Sequence, residues 1–349
     1  MANTHIAVIQ ARMGSTRFPG KIVADIAGQP LLWHIIYRLK KSRYITEIVI
    51  ASSDDIQNDC LSQFVGDNIH LIRGDEHNVL SRFEKVAARF NPKTITRVCG
   101  DSPFIDASFI DRAIDIIQND KVDYVVADST NCIHEGIDCI SMECFEKILA
   151  YSDHPVAMEH VTGIIHKFPD QFIKGFIPLV DFEKKAGIRL SIDTKSDLNF
   201  VSKLYKVSNK SPGELKLESV VEIIEKNPDL LDINRHVLQK SMDQQTELIV
   251  LDVNQDSIDT LLKYASEVSE KYGYGICLFV LKSNANEWMR LKMTAFGVID
   301  EDTYAGLNKF IKNNNIKYVV YKNDDFYEYF SNNSDYKLKK GDEFIQLDL

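Results

Sequence analysis

No run in this chain approaches the ~18–20 consecutive apolar residues that a membrane-spanning helix requires. The N-terminus passes from polar residues straight into a short strand-like run, without the charged and apolar regions of a secretory signal. The expectation is a cytoplasmic protein without membrane insertion. Positive charge is in deficit: 41 Lys and Arg against 51 Asp and Glu leave a formal net charge of −10. A nucleic-acid backbone as main partner calls for a basic surface, so nucleic acid is not expected and any phosphate site must be local. The six cysteines, Cys60, Cys99, Cys132, Cys139, Cys144 and Cys277, form no C-x-x-C pair and no zinc-ribbon spacing. Most sit among apolar neighbours, as in Arg97-Val98-Cys99-Gly100, where a thiol behaves as a small hydrophobe. There is no H-E-x-x-H, and His134-Glu135 reads as an ordinary loop pair. The two tryptophans, Trp33 and Trp288, are expected in the core.

What is present points to a folded, two-domain protein. A length of 349 residues exceeds the ~100–200 of a typical domain. Short β-branched runs begin at His5 (HIAVIQA), Glu47 (EIVIASS), His70 (HLIRG), Thr94 (TITRVCGD) and Asp123 (DYVVAD). Between them, Leu31, Leu32, Ile35, Ile36 and Leu39 keep helical spacing, as do Val79, Phe83, Val86 and Phe90, and Ile110, Ile114 and Ile117. Such alternation predicts βαβ units and an α/β fold with a mainly parallel sheet.

Helical patterns then cover about 141–152 and 155–168, strand-like runs start at Phe172 (FIKGFIPLV) and Ile188 (IRLSID), and a helix is expected over about 195–207. A further helix from Leu217 stops near Asn227-Pro228. The polar stretch around 234–245 reads as a linker, dividing a domain over 1–240 from a smaller α/β domain over 246–349. In the latter, strands are expected from Glu247, Ile276 and Ile316, with helices over about 257–271 and 302–313. Its Gly273-Tyr274-Gly275 precedes a strand and reads as a loop. Lys282, Arg290 and Lys292 read as a solvated face, and the Asn/Asp/Tyr-rich tail from Asn323 to Tyr336 as surface.

The residues richest in chemistry follow the first strand: Gln10-Ala11-Arg12-Met13-Gly14-Ser15-Thr16-Arg17-Phe18-Pro19-Gly20-Lys21. Ligands of open α/β sheets sit outside the carboxyl ends of the strands, where this loop lies. Arg12, Arg17 and Lys21 supply positive charge, while Gly14, Ser15 and Thr16 offer backbone and hydroxyl donors to phosphate oxygens. The loop reads as a triphosphate cradle, against the plainer reading of a solvated basic turn. It is not a Walker A loop, because five residues separate Gly14 from Gly20 and Ile22 follows Lys21 where Ser or Thr is needed.

This segment resembles the opening signature of bacterial cytidylyltransferases that make CMP-linked acidic sugars, with the spore coat polysaccharide branch the nearest in pattern and the acylneuraminate and 3-deoxy-manno-octulosonate enzymes as wider relatives. Sugar-1-phosphate nucleotidyltransferases usually carry paired glycines where Gln10-Ala11 stands here. Further blocks resemble the family in order: Ala51-Ser52-Ser53-Asp54-Asp55, Arg73 through Arg82, Val98-Cys99-Gly100-Asp101-Ser102-Pro103, Gly136-Ile137-Asp138, Met158-Glu159-His160-Val161-Thr162 and Leu190-Ser191-Ile192-Asp193-Thr194. The resemblance ends near Lys240.

It implies a nucleotide-diphospho-sugar transferase-like domain with an open three-layer sheet, CTP as nucleotide, a small-molecule acceptor, Mg2+ as cofactor and a homodimer. It places Gln10, Ala11, Arg12, Gly14, Ser15, Thr16, Arg17, Lys21, Ser52, Ser53, Asp54, Arg73 and Arg82 around the nucleotide, and Asp138, Glu159 and His160 toward the acceptor, although Glu159 and His160, within a helical pattern, read equally as residues that simply cap a cleft. Asp101 and Asp193 fall at its metal-binding positions. Magnesium prefers one or two carboxylates with phosphates and water, which suits in-line attack of an acceptor hydroxyl on the α-phosphorus, with Lys21 and Arg12 facing the developing charge. Taken without the resemblance, Asp101 and Asp193 read equally as turn or helix-capping residues, and Arg73 and Arg82 as partners in surface ion pairs. Met158 departs from the pattern, since relatives on this branch tend to have arginine there.

Three other readings stay open. A glycosyltransferase should carry an Asp-x-Asp motif at a strand end, and Asp75-Glu76 is a poor substitute. A non-catalytic nucleotide-sensing module would not need Lys21, Asp101 and Asp193 together. Cytidylyl transfer to a phosphorylated small molecule would give a CDP-linked product. For the domain beyond 246, oligomerisation or partner docking is the leading expectation, ahead of a second enzyme.

Overall fold

The computed structural model describes residues 4–15, 17–129, 132–185 and 188–234, then the strand segments 247–251, 275–281, 296–299, 318–320, 337–340 and 344–348. The chain forms two compact units, Met1–Leu231 and Asp232–Leu349.

The first unit begins with strand β1 (His5–Gln10), a small ribbon of β2 (Asp25–Ile26) and β3 (Gln29–Pro30), helix α1 (Leu31–Leu39), β4 (Ile45–Ser53), β5 (Ile69–Gly74), α2 (Val79–Phe90), β6 (Thr94–Cys99) and α3 (Ala107–Asp120). It continues with β7 (Tyr124–Ala127), β8 (Ile137–Ser141), α4 (Met142–Leu149), α5 (Pro155–His160), α6 (Gly163–Lys167), β9 (Lys174–Ile177), α7 (Lys195–Ser208) and α8 (Leu217–Lys226). Seven strands share one sheet in the order β5-β4-β1-β6-β8-β7-β9. All neighbours are parallel except those of β8, which runs antiparallel to β6 and β7. The α/β, mainly parallel class expected from the alternation is the one found.

Burial explains why β1 is central. Ile6, Ala7, Val8 and Ile9 are all 0% exposed, as expected of a parallel strand covered on both faces. Ile6 and Val8 pack with Leu80, Phe83 and Val86 of α2 and with Phe145 and Ile148 of α4. Ala7 and Ile9, one residue out of phase, point to the opposite face. Helix ends are set by side chains: Asn78 accepts from the Ser81 N–H to start α2, and Asp106 accepts from Ser108 and Phe109 to start α3. The order in which strands are added reverses at β1: β4 and β5 lie on one side of it and β6 on the other, all parallel. The crevice between the carboxyl ends of β1 and β6 is therefore the topological switch point.

Two local expectations are corrected and one strand is added. The run from Ile188 forms no strand: the Ile192 N–H donates to the Asp101 carbonyl at 2.8 Å and the Ser191 N–H to the Glu135 carboxylate at 3.3 Å, so loop and side-chain acceptors take the place of a ladder. The single helix expected over 155–168 is two, because Val161 turns the chain with φ 37°. That backbone region is strained for a β-branched residue. Strand β8, unanticipated, pairs Arg97 with Asp138 and Val98 with Ile137.

The second unit contributes β10 (Glu247–Leu251), β11 (Gly275–Leu281), β12 (Phe296–Ile299), β13 (Tyr318–Val320), β14 (Lys337–Lys340) and β15 (Phe344–Asp348). They form a sheet in the order β12-β11-β10-β13-β15-β14, parallel through β13 and antiparallel at β15 and β14. Strands expected from Glu247, Ile276 and Ile316 correspond to β10, β11 and β13. The linker after Asn234, both helices, the Lys282–Lys292 face and the 323–336 tail lie outside the described residues. No helix among the described residues is long and apolar enough to cross a membrane.

Candidate active site

The loop after β1 is held tightly against the sheet. The Met13 carbonyl accepts from the Ser15 and Gly20 N–H groups, each at 2.9 Å, and the Met13 N–H donates to Asn58 Oδ1 at 2.8 Å. Gly20 adopts φ 74°, a left-handed turn that delivers Lys21 into a short 3-10 turn, Lys21–Val23. On the neighbouring strand, the Gly100 N–H donates to the Gln10 carbonyl at 3.0 Å. A Cβ at position 100 would stand 2.4 Å from that same oxygen, so only glycine lets the two strand ends close together.

A cleft of about 660 Å³ opens above these strand ends. Gln10, Ala11, Arg12, Ser15, Arg17 and Lys21 line it from the first loop, with Arg82, Asp101, Glu159, His160 and Asp193 from elsewhere in the unit. At its centre the Lys21 ammonium lies 3.0 Å from Asp101 Oδ2 and 2.8 Å from Asp193 Oδ1. Burial alone would lower the Lys21 pKa, but the two carboxylates outweigh it and raise it, so the ammonium stays charged. Burial would likewise raise Asp193, yet Lys21, Arg17 and Arg189 hold it at about 2. Arg17 Nη2 sits 3.0 Å from Asp193 Oδ2.

Asp193 is fixed from behind by residues that no sequence motif singled out. Arg189 pairs with its Oδ2 through Nη2 and with Asp197 through Nε at 3.2 Å. Asp197, fully buried, accepts from the backbone N–H groups of Asp193 and Thr194 at 3.0 and 2.9 Å, and from the Thr194 hydroxyl at 2.9 Å. Thr194 and Asp197 form a capping box at the start of α7. The T-x-x-D spacing was the available signal for Asp197; Arg189 carries no comparable signature.

Other expected residues fall elsewhere. Gly14, Ser52, Ser53, Asp54, Arg73 and Asp138 do not line the cleft, and Thr16 lies outside the described residues. Ser52 and Ser53 are buried, and Ser53 Oγ accepts from Asn58 Nδ2 at 2.8 Å. Arg73 braces the turn after β4, donating to the Ser53 and Asp55 carbonyls at 3.2 and 2.7 Å and pairing with Asp59 at 2.5 Å. Asp138 pairs with Arg97 at 2.6 Å and accepts from the Thr162 hydroxyl at 2.9 Å, tying the cleft floor to the turn after His160. Arg97 itself lines the cleft, as do Glu76, His77, Cys99, Pro155 and Met158. Arg12 meets Glu76 at 3.4 Å in an exposed pair. Burial pushes the Cys99 thiol up to about 11, too high for a resting nucleophile.

Among the described residues, no group of three or more His, Cys, Asp or Glu converges as a metal cage. The pair Asp101 and Asp193 nevertheless has the donor chemistry for a hard divalent ion, because such an ion takes its other oxygens from phosphate and water. The ammonium between them shows that their oxygens converge on a point a cation can occupy.

An open, mostly parallel sheet with a cationic loop and paired carboxylates over its switch point is the construction of a nucleotidyltransferase. The profile of the family described as cytidylyltransferase matches residues 6–231, and the chain belongs to that family. It is 30% identical over 234 residues to the spore coat polysaccharide biosynthesis protein SpsF of Bacillus subtilis, covering 65% of this chain and 96% of that one. A 3-deoxy-manno-octulosonate cytidylyltransferase of Geobacter sulfurreducens is 39% identical over 108 residues, 31% of this chain and 43% of its own. In fold, the chain is similar to a cytidylyltransferase structure from Leptospira borgpetersenii, with a TM-score of 0.59 at 24% identity over 66% of this chain and 97% of that one.

Proposed function

We propose that the first unit transfers CMP from CTP to a hydroxyl of an acidic sugar or related acceptor, releasing pyrophosphate, in surface polysaccharide or glycan biosynthesis. The observation that carries this reading is the convergence of Lys21, Asp101 and Asp193 in a cleft also lined by Arg12 and Arg17. Membership of the cytidylyltransferase family supports the nucleotide, and the names of the Bacillus and Geobacter relatives support the acceptor class.

In this mechanism Arg12, Arg17 and Lys21 receive the triphosphate, their charges balancing those that build up as the bond to pyrophosphate breaks. Asp101 and Asp193 would hold Mg2+, which would supply charge neutralisation for the transferred phosphoryl group during in-line displacement. Glu159 and His160, at the end of α5, line the same cleft and position the acceptor, and Met158 adds an apolar surface beside them. The acceptor hydroxyl oxygen bonds the α-phosphorus, losing its proton to solvent, as the bond to pyrophosphate breaks, so no residue of the chain is cytidylylated. A catalytic domain over 1–240 with an accessory domain over 246–349, and homodimeric action in the cytoplasm, belong to the same proposal.

Pyrophosphate release from each of the four nucleoside triphosphates with magnesium, across acidic sugars and phosphorylated alcohols, tests it. The expected result is release with CTP and an acidic sugar, reduced by about 100-fold or more in Asp101→Asn. Turnover of no triphosphate by folded protein refutes the synthetase reading.

A further inference from the structure

The lysine at the centre of the cleft holds the oxygens that a divalent ion would need. Asp193 Oδ2 is already engaged by Arg17 and Arg189, and Asp101 Oδ1 accepts from the Ser102 hydroxyl at 3.3 Å. The oxygens left facing the site, Asp193 Oδ1 and Asp101 Oδ2, are those bound to the Lys21 ammonium at 2.8 and 3.0 Å. That side chain is only 14% exposed, so water screens the contact poorly. An incoming ion and the ammonium would contend for the same lone pairs and repel each other at close range.

We propose that Lys21 is an internal counter-ion that fills the divalent-cation site of the nucleotide-free protein and makes cation binding conditional on nucleotide. The inference rests on reading Asp101 and Asp193 as cation ligands. Phosphate oxygens give the ammonium a new partner within the same cleft, and its departure releases the two carboxylates. Lysine suits this exchange, because its charge rides on a flexible four-carbon stem, whereas the planar guanidinium forks of Arg17 and Arg189 favour one fixed geometry. The backbone has no need to move: the Lys21 N–H donates to the Phe18 carbonyl at 3.1 Å and its carbonyl accepts from Ala24 at 3.0 Å. Without an ammonium or a metal, two carboxylates would face one another and repel. By linkage, nucleotide and cation must then raise each other's affinity by the same factor.

The test is calorimetric titration of the full chain with Mn2+ alone, without nucleotide. Lys21→Met and Lys21→Gln should each bind Mn2+ at least about tenfold more tightly than the unaltered protein. The glutamine variant keeps hydrogen-bond donors between the carboxylates should the methionine variant not fold. Arg17→Gln removes the same charge beside Asp193 but leaves the ammonium in place, so its gain should stay below about threefold. Adding Asp101→Asn to Lys21→Gln should abolish the gain. Lysine variants that bind Mn2+ no better than the unaltered protein overturn the proposal. So does an equal gain in Arg17→Gln, which reduces the effect to general charge, or a gain that survives Asp101→Asn, which puts the ion elsewhere. The transferase reading is judged separately, by pyrophosphate release.

Discussion

Replacing Asp197 by asparagine should unsettle Asp193 without touching the cleft. The Asp197 carboxylate is completely buried and accepts hydrogen bonds from Arg189 Nε, two backbone N–H groups and the Thr194 hydroxyl. An amide offers one acceptor oxygen and turns N–H donors toward groups that are themselves donors. Bonds to a charged acceptor contribute about 1.5–3 kcal/mol each. Breaking a buried ion pair costs about 3–5 kcal/mol, because the remaining charge is left uncompensated. Since Arg189 keeps Asp193, the loss should fall near the lower end, about 3–4 kcal/mol. For a unit of this size that corresponds to a fall in Tm of roughly 6–16 °C. Urea unfolding followed by circular dichroism measures it, with Mn2+ affinity of the folded variant in the presence of CTP as a second readout. That affinity should also fall, because the backbone and guanidinium that aim Asp193 are both loosened. A loss below about 1 kcal/mol with unchanged Mn2+ binding would show that Asp193 is aimed by something other than the Asp197 clamp.

Gly100→Ala puts a Cβ where the Gln10 carbonyl oxygen stands 2.4 Å away, so the ends of β1 and β6 must part. Stability should fall by about 1–3 kcal/mol and pyrophosphate release should drop with it, whereas alanine at the exposed loop residue Gly66, where a Cβ meets nothing within 4 Å, should leave both nearly unchanged. The buried Glu183 gives a pH signature. Burial would raise its pKa, but hydrogen bonds from His134, Arg112 and the Val180 N–H hold it at about 2, against an ordinary 4.5. A depressed carboxylate stabilises the fold fully above its unfolded pKa and loses that contribution as pH falls toward the folded value. The stability difference between the unaltered protein and Glu183→Gln should therefore be about 3 kcal/mol at pH 7 and shrink steadily between pH ~4.5 and ~2. A difference that is independent of pH in urea unfolding would remove the carboxylate's charge as its cause.

Much of the first unit was legible in the chain because its signals are local. The apolar run Ile6–Ile9 declares a strand buried on both faces, and the spacing of Leu80, Phe83 and Val86 declares a helix with one buried side. The run from Ile188 misled for the same reason: β-branched alternation reports a half-buried extended segment, not whether a neighbour is there to pair with it. Val161 was unreadable, since a β-branched residue in a helical pattern gives no warning of a left-handed turn. Arg73 and Arg82 sit nine residues apart in one block of sequence, yet only Arg82 reaches the cleft. Arg73 projects from the end of a strand into the adjoining turn, while Arg82 rides a helix that faces the switch point.

By itself the sequence determined the α/β class, the loop after β1 and the types of residue that can meet phosphate or a hard cation, because periodicity and short motifs act over a few residues. Only the tertiary structure decided that Lys21 meets Asp101, 80 positions away, and Asp193, 172 positions away. Such contacts depend on strand order, on the register that sets β1 against β6, and on the Asp197 clamp that turns Asp193 inward. None of these is a property of any single segment; each follows from how the segments pack.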